Sequence, residues 1–127
     1  MGTTVSLNGY IQATDSITGT VALKRLFQSL ATTGTIFVES QGGSVGTSPT
    51  SLTLAVSPVQ FFYIKNTHAN QTLTITWTPN GGSSNPVVTL EPGSAIILCE
   101  VATGAGITAI SLMASGASTT YEFLYSG

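Results

Sequence analysis

Few residues of this 127-residue chain could do acid–base, nucleophilic or metal chemistry, and none stands in a recognisable set. His68 is the single histidine, in the run Asn66-Thr67-His68-Ala69-Asn70. Such a cluster of turn formers between two apolar stretches reads as a hairpin tip with a solvated histidine. No second His, Cys or carboxylate lies near it at metal-ligand spacing. A Ser-His-Asp set would need Asp15, the sole aspartate, to reach His68, and no Gly-x-Ser-x-Gly elbow accompanies them. Glu39, Glu91, Glu100 and Glu122 are the four glutamates. A pair of them across strands would suit glycoside hydrolysis, but spacing alone brings no two together. Cys99 is the only cysteine, so no intrachain disulfide forms. It lies within the apolar run 95–101 and reads as a small buried hydrophobe. Gly42, Gly43 and Gly46 invite comparison with a phosphate-cradling loop, yet no Gly-Lys-Ser/Thr ending follows. Asn70-Gln71-Thr72 fits the N-glycosylation pattern and, with no secretion signal expected, reads as chance. The sequence therefore predicts no enzyme, no catalytic residue, no cofactor and no metal.

The elements that would position these residues are strands. Leu73, Ile75 and Trp77 alternate with Thr72, Thr74, Thr76 and Thr78. That is period two, a strand with one buried and one wetted face, and β-branched Thr suits the wetted one. Further extended runs are read at 35–40, 51–57, 59–65, 87–90, 94–101, 107–114 and 120–125, with a short one near 4–11. Turn clusters such as Pro79-Asn80-Gly81-Gly82 and Glu91-Pro92-Gly93 separate them. Residues 41–50 read as a mobile, low-complexity loop. Leu23, Leu26, Phe27 and Leu30 fall at helical spacing and predict one short helix over 21–32. The expected architecture is all-β, an antiparallel sandwich over residues 21–127, preceded by an arm or first strand over residues 1–20. The aromatics Tyr121, Phe123 and Tyr125 share one strand face and read as core.

Composition excludes whole classes of partner. Only 6% of the chain is charged, against roughly 25% for an ordinary soluble domain. Its polar surface rests instead on 21 Thr and 15 Ser. Lys24, Arg25 and Lys65 are its only basic residues, too few for the electrostatic footprint of a nucleic-acid binder or for a polybasic membrane patch. No apolar run approaches the ~18 residues of a membrane helix.

Several strands are apolar on both faces. Val59, Phe61 and Tyr63 oppose Phe62 and Ile64; Ala95, Ile97, Cys99 and Val101 oppose Ile96 and Leu98. Ile107, Ala109 and Met113 likewise oppose Ile110, Leu112 and Ala114. A two-layer domain has one interior, and each large side chain left wet forgoes roughly 1.5–3 kcal/mol. The surplus predicts a homo-oligomer or a subunit of a larger shell.

The string Phe61-Phe62-Tyr63-Ile64-Lys65-Asn66, then Leu73-Thr74-Ile75-Thr76-Trp77, then Val88-Thr89-Leu90-Glu91-Pro92-Gly93 resembles small tailed-phage virion proteins. Those commonly run N…LTV-W…G…V-L-PG. Residues 107–115 followed by 120–125 resemble their closing hairpin, so the likeness covers about 59–127. It implies a jelly-roll-like capsid decoration or cement protein, made in the host cytoplasm and carried on the virion. Such proteins are usually trimeric and clamp neighbouring major capsid subunits from outside. On that reading Tyr10, Leu23, Lys24, Arg25 and Phe27 belong to the capsid contact, and Phe61, Phe62 and Tyr63 to the subunit interface. The competing reading is a tail or head-fibre tip that binds host glycans through loops 41–50, 66–70 and 80–86.

Overall fold

The computed structural model describes residues 9–14, 21–27, 38–99 and 105–127, with side chains described over 42–98 and 105–127. Two compact units divide the chain, Met1–Ile36 and Phe37–Gly127. The expected boundary at 20/21 lies within the first of them.

In the first unit β1 (Gly9–Thr14) pairs antiparallel with β2 (Val21–Phe27). The helix expected over 21–32 is thus corrected: its first seven residues are a strand. Val21, Leu23 and Phe27 fall on one parity of a strand, while Leu23, Leu26, Phe27 and Leu30 fit a helical stripe, and a ladder partner decides between the two readings.

The second unit holds eight strands: β3 (Val38–Val45), β4 (Thr50–Ser51), β5 (Phe61–Asn66), β6 (Leu73–Pro79), β7 (Val87–Leu90), β8 (Ala95–Cys99), β9 (Ile107–Ala114) and β10 (Thr119–Ser126). They nest as one long hairpin. β6 pairs with β7, β5 with β8, β4 with β9 and β3 with β10, all antiparallel. Alternate rungs fall in alternate sheets, ordered β3-β10-β5-β8 and β4-β9-β6-β7. A nested hairpin folded over itself into two four-stranded sheets is a jelly roll, the sandwich that the sequence predicted.

Two strand expectations shift. β3 runs through the stretch read as a loop, because β10 gives it a complete ladder from Val38 to Val45. The glycines there make room for a ring: a Cβ on Gly43 would stand 3.1 Å from the Tyr121 hydroxyl oxygen. Conversely, the strand read over 51–57 ends at Ser51. Leu52, Leu54 and Val56 still turn toward the core, and Leu52 N, donating to Ile110 O at 2.9 Å, continues the β4 edge.

One core fills the space between the sheets. Phe62, Ile64, Tyr121, Phe123 and Tyr125 come from one sheet, and Leu73, Ile75, Trp77, Leu90, Ile110 and Leu112 from the other. Phe62 meets Trp77 edge-to-face across the layers, ring centroids 5.9 Å apart. Phe123 and Tyr125 stack at 4.8 Å, and the Tyr125 hydroxyl accepts from Ala55 N at 3.0 Å. The buried face of β6 and the core role of the β10 aromatics are as the alternation predicted. Trp77→Ala should cost about 3–5 kcal/mol, read as a lower denaturant midpoint at unchanged m-value.

Candidate functional site

Antiparallel nesting gathers the β3–β4, β5–β6, β7–β8 and β9–β10 connections at one end of the sandwich. Asn66, the last residue of β5, holds that end together and is fully buried. Its Nδ2 donates to Gln71 O at 2.7 Å and Leu90 O at 3.1 Å. Its Oδ1 accepts from His68 N at 3.0 Å, the side-chain turn that Asn favours. Its backbone N donates to Ser94 O at 2.9 Å, and its backbone O accepts from Gly93 N at 3.0 Å. One residue thus satisfies the polar groups of two connections that its own strand does not contain.

His68 continues the arrangement. Its Nδ1 accepts from Asn70 N and Gln71 N, both at 3.1 Å, so the neutral ring carries its proton on Nε2. The expected hairpin tip is there, but its histidine is half-buried and braces the loop. The neighbouring connection is tied in by Thr67 N to Thr120 O (3.0 Å), Thr67 Oγ1 to Thr120 Oγ1 (3.0 Å) and Ser115 N to Thr72 O (3.1 Å). Gln71, with its amide nitrogen turned toward Gly116 O and Ala117 O (3.3 Å each), also bonds buried Thr119. An open cavity of about 390 Å³ lies here, lined by Lys65, Asn66, Thr67, His68, Ala69, Pro92 and Gly93.

The opposite end is built from backbone. Val59 and Ile107 exchange two bonds, 2.7 and 2.8 Å, and Asn80 N donates to Gly106 O at 2.8 Å. Gly106 sits at φ +122°, where an added Cβ would fall 2.5 Å from Val59 O. A second cavity of about 250 Å³ opens beside Trp77, Pro79, Asn80 and Leu98. The loops assigned to glycan recognition therefore separate. Residues 46–49 and 66–70 share one end, and 80–86 lie at the other.

The proposed interface residues also divide. Tyr10 stands opposite Leu26 in the first unit, Gln12 opposite Lys24, Ile11 opposite Arg25, Ala13 opposite Leu23 and Gly9 opposite Phe27. Lys24 and Arg25 are neighbours along β2. Phe62 lies wholly inside the core and is corrected from surface to interior. Phe61 points to the other face yet is only 7% exposed. Tyr63, on that same face, is half-buried.

Tyr63 belongs to an outward apolar band. In the ladder Leu124, Tyr63 and Ile97 stand side by side on β10, β5 and β8, with Ile97 47% exposed. One rung on, Glu122, Lys65 and Ala95 align; one rung back, Ser126, Phe61 and Cys99. The outer face of the second sheet is hydroxyl-rich instead: Thr74, Thr76 and Thr78 run beside Thr89 and Ser111, flanked by exposed Val87 and Met113. Thr74 and Thr89 hydroxyls meet at 3.2 Å.

Among the described residues no three His, Cys, Asp or Glu side chains gather where they could hold a metal ion, and no helix is long and apolar enough to cross a membrane. Asp15 and Glu100 lie outside the described residues, as do the side chains of Glu39 and Cys99. No protein-family model, no curated protein and no solved structure matches this chain.

Asn66→Ala should cost about 2–3 kcal/mol, since it strands the buried Leu90 carbonyl. Asn66→Asp should cost more, because it sets a carboxylate against two carbonyl oxygens; chemical denaturation of both variants orders them. Burial also pushes the Tyr121 hydroxyl above its ordinary pKa of 10.0. Its neutral form is favoured by folding, so that contribution is whole below pH 10 and falls as pH rises toward the folded value. Tyr121→Phe should flatten the loss of thermal stability above about pH 10.

Proposed function

We propose that this chain is a structural virion protein, a decoration or cement protein that binds the outside of a phage head and stabilises it as a homo-oligomer, a trimer on the resemblance. The single observation carrying this reading is the outward band Leu124-Tyr63-Ile97. It continues the core's chemistry onto the outer face, where the Glu122–Lys65 rung is the charge beside it, in a chain that is only 6% charged. A second copy seated there would bury these side chains at roughly 1.5–3 kcal/mol each.

The jelly roll supports the reading in kind, since capsid proteins use it, as do lectins. The motif residues support it differently. Asn66, Leu90 and Gly93, the punctuation shared with the virion proteins, are the residues that bond one another at the gathered end. The likeness thus marks a fold constraint, and function rests on the surface. The first unit, with Tyr10, Leu23, Lys24, Arg25 and Phe27, supplies the capsid contact. Binding across a joint between major capsid subunits adds buried area on both sides, so the shell resists pressure from within. No nucleic acid, membrane or cofactor takes part, and no reaction is catalysed.

A glycan-binding fibre tip remains the second reading, favoured by the open cavity beside His68 and Pro92.

Sedimentation of the full chain should give a compact trimer that adds to undecorated heads and raises the temperature at which they rupture. Ile97→Asp should yield folded monomer that no longer adds. A wild-type monomer that leaves heads unaltered would sink this assignment.

A further inference from the structure

We propose that the cavity at the gathered end is a binding site for the carboxylate of an acidic monosaccharide unit, of the uronic acid type. This inference is independent of how copies of the chain assemble.

Two of the residues that line the cavity carry donors suited to an anion. Lys65 lines it and carries an ammonium group. His68 brings Nε2–H, and the direction of that proton is set by structure: two backbone N–H groups occupy Nδ1. A neutral imidazole in this tautomer can only donate from its free edge. An ammonium and an N–H carried by two residues that line one open recess suit a carboxylate, which accepts charge-assisted bonds from both.

The remaining lining fits a sugar ring better than a bare ion. Pro92, Gly93 and Ala69 supply apolar surface for the C–H face of a ring, and Thr67, whose hydroxyl donates to Thr120 Oγ1, also lines the recess. About 390 Å³ falls in the range of small-molecule sites and exceeds what an inorganic anion fills. Preorganisation favours binding further. Asn66 pins both connections that form the recess, through Leu90 O and Gly93 N on one side and His68 N and Gln71 O on the other. A ligand arriving there has little loop entropy to remove.

One group competes. Glu122 stands opposite Lys65 in the β5–β10 ladder, a cross-strand position at which opposite charges attract. An external carboxylate must displace whatever attraction that pair has, which predicts a sign for its removal.

Titration of the full chain with sodium glucuronate, followed by amide NMR shifts, tests the site. Shifts should concentrate at Lys65–Ala69 and Gly93 and saturate, while glucose and the glucuronate methyl ester bind at least about tenfold more weakly, the worth of one charge-assisted bond. Lys65→Met keeps the stem and should weaken glucuronate about as much. Glu122→Gln should tighten it. Equal binding of glucose, or an unaltered affinity in Lys65→Met, overturns the proposal. So does N-acetylglutamate amide binding as tightly as glucuronate, which would assign the recess to acidic peptide side chains. Both variants alter exposed or half-buried positions, so their one-dimensional spectra should match the parent fold.

Discussion

A sandwich of nested hairpins must seal its ends, where connections cross from one sheet to the other and leave backbone groups without ladder partners. In this protein that demand falls on one buried amide. Every polar atom of Asn66 is engaged, and its partners belong to the turn that follows its strand and to the turn after β7. Buried polar groups are costly when unmatched, and they fix a unique geometry when matched. His68 can brace its loop, and Gly93 can turn the chain, because Asn66 has already set the distance between them. The recess beside them is a by-product of the same seal.

How much of this was written in the residues varies by element. The period-two runs at 72–78, 87–90, 107–114 and 120–125 located four strands to within a residue or so, because each has one face bound for the core and the sheet imposes the rest. Residues 21–27 satisfy two periods, since apolar groups at 21, 22, 23, 26 and 27 suit a strand or a helix equally. Only the β1 partner distinguishes them, and pairing between Gly9–Thr14 and Val21–Phe27 is invisible to a local pattern. Residues 41–45 were misread because glycine carries no face. They are strand for the sake of Tyr121, whose ring needs the space a side chain would fill.

The site was legible only in part. The turn at 66–70 was plain, but His68 drew attention as the group with chemistry while Asn66 did the organising. A signal existed: an Asn closing an apolar run, ahead of a second turn ending in Pro-Gly. Reading it required knowing that β5 and β8 are neighbours, which is a property of topology. The surplus of apolar faces fared better. It marked both faces of 59–65 and 94–101 as apolar without saying which is inward, and the ladder places Tyr63 and Ile97 side by side on the outer face. What the alternation could not reveal is that Phe62 faces the other way, since a run of five apolar residues gives no sign of which parity is inward.

The nesting has a kinetic corollary during synthesis. β10 lies between β3 and β5 in its sheet, so two earlier strands wait on the latest one to be made. Until residues near 119–126 have emerged from the ribosome, β3 has no ladder neighbour and β5 lacks one of its two. The inner rungs, β6 with β7 and β5 with β8, can close early because their loops are short; the outermost rung closes over some seventy intervening residues. Through that interval the nascent chain presents unpaired, nearly uncharged edges, and its escape from aggregation depends on the speed of the final closure.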